Sequence, residues 1–80
     1  MKAKDVKPGM QIVLPKFNKI KNCLFAISRI ESKKVRLVNK KHTTFIDIKE
    51  FIMLAKDGRV YPEGWDGKEK FDNGELSTLR

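Results

Sequence analysis

Residues 23–38 read CLFAISRI-ESK-KVRLV, two β-rich runs joined by a short polar turn. Residues 23–30 are apolar on both alternating sets, as a central strand buried on two sides requires. In the second run Lys34 and Arg36 alternate with Val35 and Leu37, and Lys40 continues the polar set. Two short strands joined by so tight a turn make an antiparallel hairpin, and a chain of 80 residues must build its one thin core around it.

The flanking segments extend the sheet. Pro8-Gly9 reads as a lead-in turn, and Met10, Ile12 and Leu14 alternate with Gln11 and Val13 in a strand that Pro15 is expected to stop. Lys16–Asn22 then reads as a long basic loop carrying Phe17 and Ile20. TTFIDI, residues 43–48, is a fourth strand with an ambiguous end. Asp47 and Glu50 fit a capping box, and Ile48, Phe51, Ile52 and Ala55 recur at helical spacing, with Gly58 as the terminating glycine. Residues 52–61 also fit a two-residue hairpin about Asp57-Gly58. A helical turn from Asp47 to at least Phe51 is the reading adopted. The expected fold is mainly β, a small antiparallel barrel of about five strands with one short helical turn; the alternative is α+β with a helix at 48–57. Residues 1–61 form the barrel domain. Residues 62–80, rich in glycine and acid, form an extension that packs on it or is partly disordered.

The layout of VKPGMQIVLP, FAISRIESKKVRLVNKK and TTFIDIKEFIML resembles the SH3-like small β-barrels, the architecture of KOW and Tudor modules, over residues 6–60. The resemblance implies a fold and not a ligand. Residues 23–30 lack the glycine of the KOW motif, and such barrels bind RNA, DNA and proteins alike.

Charge narrows the function. The chain has 18 Lys and Arg against 10 Asp and Glu, a net +8. Residues 1–41 hold twelve of the basic residues and two acids, Asp5 and Glu31, for a net +10; residues 42–80 carry −2. Such a half must present a positive surface, which attracts phosphate backbones or acidic protein faces. Two clusters carry it. In the first loop Phe17 and Ile20 lie among Lys16, Lys19 and Lys21, an arrangement in which the ring stacks on a base and the lysines meet phosphates. The alternative is that Phe17 or Ile20 folds back to plug an open end of the barrel. The hairpin carries the second cluster, Arg29, Lys33, Lys34, Arg36, Lys40 and Lys41. Cations on an outer strand face also serve as ordinary protection of a sheet edge.

No catalytic constellation is present. His42 is the only histidine and has no acid at metal-ligand spacing save Asp47; Cys23, the only cysteine, fits a small core residue. Asp66, Glu69, Asp72 and Glu75 recur every third residue without the pattern of a calcium loop, and fit a solvated tail or acids lying over the basic half. No metal, cofactor or enzymatic activity is expected. The leading reading is a non-enzymatic nucleic-acid-binding module, with RNA or single-stranded DNA favoured over duplex. The alternative is a small protein-interaction module that docks on an acidic face of a larger protein through Phe17, Ile20, Trp65 and Phe71, as a phage or mobile-element accessory protein modulating a host enzyme would. Trp65 also fits an anchor onto the barrel. A cytoplasmic location is expected from the single cysteine and from a start, MKAKDV, without an apolar signal core. No basic amphipathic helix points to a membrane.

Overall fold

The computed structural model describes residues 3–66, 71–72 and 75–76, with side-chain environments for residues 4–66. A 3-10 turn (Ala3–Asp5) leads to a β-turn in which Met10 N donates to the Lys7 carbonyl (3.3 Å). Pro8 and Gly9 occupy its centre, and Gly9 takes φ +94°, as a type II turn requires at its third position. Four strands then form an antiparallel meander: β1 (Gln11–Phe17), β2 (Ile20–Glu31), β3 (Lys34–Val38) and β4 (Thr43–Asp47). The helix α1 (Ile48–Lys56) follows, and β5 (Val60–Tyr61) returns to pair with β1. The pairing order is β4-β3-β2-β1-β5. Two short strands, β6 (Phe71–Asp72) and β7 (Glu75–Leu76), pair with each other, and β7 joins β2 where Cys23 faces Glu75. The mainly β architecture, with β1–β5 as five antiparallel strands along one path and one short helix, is that expected of the sequence.

One face of the sheet carries the core. Ile12 and Leu14 of β1, Cys23, Phe25 and Ile27 of β2, and Val35 and Leu37 of β3 are buried there with Val6 and with Phe51 and Leu54 of α1. Each large side chain so buried stabilises the fold by roughly 1.5–3 kcal/mol. The opposite face is also closed at its centre, because Val13 and its cross-strand partner Leu24 are 6% and 7% exposed. The apolar run 23–30 is therefore buried on both sides over Cys23–Phe25, as its lack of alternation requires.

Three local expectations are corrected. Pro15 does not stop β1, which runs on to Phe17 with Lys16 opposite Lys21 and Phe17 opposite Ile20. Val13 N donates to the Arg59 carbonyl (2.9 Å), so by alternation the nitrogen of Pro15 also faces away from β2. The two-residue β5 pairs only with Gln11 and Ile12, so a proline there costs no ladder bond. Secondly, the long basic loop is a two-residue hairpin turn, Asn18-Lys19, with Asn18 at φ +55°. Ser32 takes the same φ in the Ser32-Lys33 turn.

Thirdly, the capping box is not made. Asp47 is the N-cap but its side chain bonds no backbone amide; it faces Lys34, and the Ile48 amide donates to the Lys33 carbonyl (2.8 Å). The helix runs through to Lys56, which excludes the hairpin reading of 52–61. It ends as anticipated at Gly58 (φ +78°): Gly58 N donates to Ala55 and Arg59 N to Leu54, the paired bonds of a Schellman motif.

Candidate nucleic-acid interface

The meander decides which cations meet. β2 runs away from the Asn18-Lys19 turn and β3 runs back towards it, so the β3–β4 connection, residues 39–42, arrives beside residues 22–24 at the end of the sheet that carries the first hairpin. Asn39 holds it there. Its Nδ2 donates to the Leu24 carbonyl (3.1 Å) and lies 3.5 Å from Cys23 Sγ, while its Oδ1 accepts from the backbone amides of Lys41 and His42 (2.8 Å each). One side chain thus shapes the turn and fastens it to β2.

Across the gap, the His42 imidazole lies 5.0 Å from the Phe17 ring, and Phe17 in turn meets the buried Phe25 edge-on at 5.1 Å. Phe17 and Ile20 are half-buried against the core, beyond the left-handed bend at Asn22 (φ +54°), which falls opposite Pro15. This rivet brings the exposed Lys16, Lys19 and Lys21 to the same end as the exposed Lys40 and Lys41. Neither segment, 16–22 or 39–42, contains an acid. Lys16 and Lys21 sit directly opposite each other, a like-charge pair that costs stability where nothing anionic lies between them. Arg59 adds a further cation, donating from Nη1 to Asn22 Oδ1 (3.1 Å).

The other candidate cations lie apart. Lys34 stands at the opposite end of β3, about 13 Å along the strand from Val38, so Lys34 and Arg36 share a face with each other while Lys40 lies in the turn. Arg29 pairs with Glu31, Lys34 lies 3.9 Å from Asp47, and Arg36 Nη1 donates to Ser28 Oγ (2.7 Å) at the bulge where the β2–β3 register shifts. Lys33 is exposed in the turn.

The apolar groups named for a protein interface are likewise dispersed. Phe17 and Ile20 face the core. Trp65 stacks on Tyr61 (3.7 Å, 6° between planes), and its carbonyl accepts from Gln11 Nε2 (2.9 Å), which ties the segment after β5 to β1. Phe71 is in β6, and its side chain lies outside the described residues, as does that of Glu69, Asp72 and Glu75.

Among the described residues, no three His, Cys, Asp or Glu gather as metal ligands, and no helix is long and apolar enough to cross a membrane. Asn39 and Phe45 escaped the reading of the sequence: Asn39 matters only through its contact with Leu24, and Phe45 through which of Phe45 and Ile46 the helix buries. Comparison of the chain with protein-family models, curated proteins and solved structures finds no match.

Proposed function

We propose that this chain is a non-enzymatic module that binds the phosphate backbone of nucleic acid, single strands in preference to duplex, on a small β-sheet scaffold of SH3-like layout. The observation that carries the reading is the contact of Phe17 with His42, which gathers Lys16, Lys19, Lys21, Lys40 and Lys41 at one end of the sheet. Exposed lysines held on a hairpin and an Asn-fixed turn meet successive phosphates and release their counterions. In this arrangement Phe17 is the packing key that sets the lysines in place.

The test is fluorescence anisotropy of the full chain with labelled single-stranded DNA, RNA and duplex at about 50 and 200 mM salt. The reading expects binding at low salt with a steep negative salt dependence, and tighter binding to single strands. Absence of binding to all three would overturn it and leave the lysine end as a docking face for an acidic protein.

A further inference from the structure

The most exposed aromatic ring whose environment is described belongs to Phe45, at 45%, in the middle of β4. Its neighbour Ile46 packs against the core, so Phe45 stands exposed on the opposite side of β4. The register builds a row across that face: Arg29 lies opposite Arg36, and Arg36 lies opposite Phe45. Arg36 donates to Ser28 at the β2 bulge, so its guanidinium is held on the β2 side of β3. One residue pair further along, Lys34 lies between Glu31 and Asp47. Together with Ser32 and Lys33 these residues and Phe45 line a shallow depression of about 490 Å³.

Two cations, Lys33 and Lys34, and two carboxylates, Glu31 and Asp47, therefore share one depression with the uncovered ring, and Arg36 is its cross-strand neighbour. Arg29 and Lys34 face the two carboxylates, which tempers their repulsion of a phosphate. An ordinary sheet edge protected by charge has no use for an exposed phenyl group at its centre. An exposed ring with ammonium groups beside it is what an unpaired base with its phosphates fits, since every base presents a π-face. The position also continues the lysine end: β4 begins at Thr43, directly after the turn that holds Lys40 and Lys41, and Phe45 stands about 7 Å along it.

We infer that Phe45 is the stacking platform for an unpaired nucleobase, with Arg36, Lys33 and Lys34 taking the phosphates beside it. The inference rests on the nucleic-acid reading above and adds the source of its preference for single strands, because a base inside a duplex cannot reach the ring.

The experiment compares the full chain with its Phe45→Ala and Phe45→Tyr variants, by anisotropy with a labelled ten-nucleotide single strand and with a duplex of the same sequence. Phe45→Ala is expected to weaken single-strand binding by about 5-fold or more, the lower end of an aromatic–base stack, with the salt slope and duplex binding unchanged. Phe45→Tyr, which keeps the ring, is expected to match the parent. A Phe45→Trp variant is expected to show added fluorescence quenching on single-strand binding. Equal single-strand affinity for Phe45→Ala and the parent would overturn the assignment of Phe45 while leaving the lysine end intact. Failure of the parent chain to bind any nucleic acid would overturn both.

Discussion

Asn39 Nδ2 donates to the Leu24 carbonyl across 3.1 Å, and through that bond a four-residue turn of the β3–β4 connection becomes part of the central strand's surroundings. Leu24 belongs to the segment of β2 that β3 has already left, since β3 pairs no further than Ala26 with Val38. The side chain thus supplies a donor where the β2–β3 ladder ends, and its oxygen organises Lys41 and His42 at the same time.

This dual role predicts that Asn39→Ala loses more than a turn. Leaving the Leu24 carbonyl and two turn amides without this partner is expected to cost about 1–3 kcal/mol. The midpoint of chemical denaturation should fall accordingly. Nucleic-acid affinity should drop even where the variant remains fully folded, because Lys40 and Lys41 lose their fixed position. Unchanged stability would show that the turn holds without Asn39.

Phe17 is expected to behave as a packing residue. Its ring touches Phe25 and His42 from a half-buried position, so Phe17→Ala should destabilise the fold by about 2 kcal/mol, below the range for a fully buried phenyl group. Phe17→Leu should recover much of that stability by thermal denaturation. If Phe17 instead stacked on bases, both variants would lose single-strand affinity alike, and stability would move little.

The lysines should be read through the salt dependence of binding. Replacing Lys16, Lys19 or Lys21 singly with Gln is expected to lower the slope of log K against log salt by about 0.7 or less for a single strand. Lys56, exposed at the end of α1, serves as the control, and Lys56→Gln should leave the slope unchanged. Equal effects at all four positions would indicate a diffuse field rather than a located site.

The helix terminus offers a test of the fold that is separate from binding. Gly58 sits at φ +78° with open space where a Cβ would stand, so Gly58→Ala introduces backbone strain without a clash. The expected loss is about 1–2 kcal/mol, read as a lower midpoint in thermal denaturation. Nucleic-acid affinity should not change, since Gly58 is outside both proposed contact regions.

The strands and the charge asymmetry were legible in the sequence, because both rest on local pattern. Alternation placed Lys34 and Arg36 on one face of β3, and the tight turn after Glu31 made the hairpin plain. Pro15 misled because a proline ends a strand only where its nitrogen faces a partner, and that depends on how far β5 reaches along β1. The first turn read as a long loop because Phe17 and Ile20 interrupt a basic stretch, whereas their cross-strand pairing leaves only Asn18-Lys19 outside the strands. At Asp47 the capping pattern marked the start of α1 correctly, but Lys34 opposite it draws the carboxylate away from the helix amides. The candidate site was legible only as composition. That Lys40 and Lys41 join Lys16, Lys19 and Lys21, while Lys34 and Arg36 stand with Phe45, follows from strand direction and register.

The most direct test of the account is amide chemical-shift mapping of the isotopically labelled full chain during titration with a short single strand. The largest changes are expected at residues 16–22 and 39–42, extending along β4 to Phe45. Changes confined to α1 and β5, with residues 16–22 and 39–42 unmoved, would contradict it.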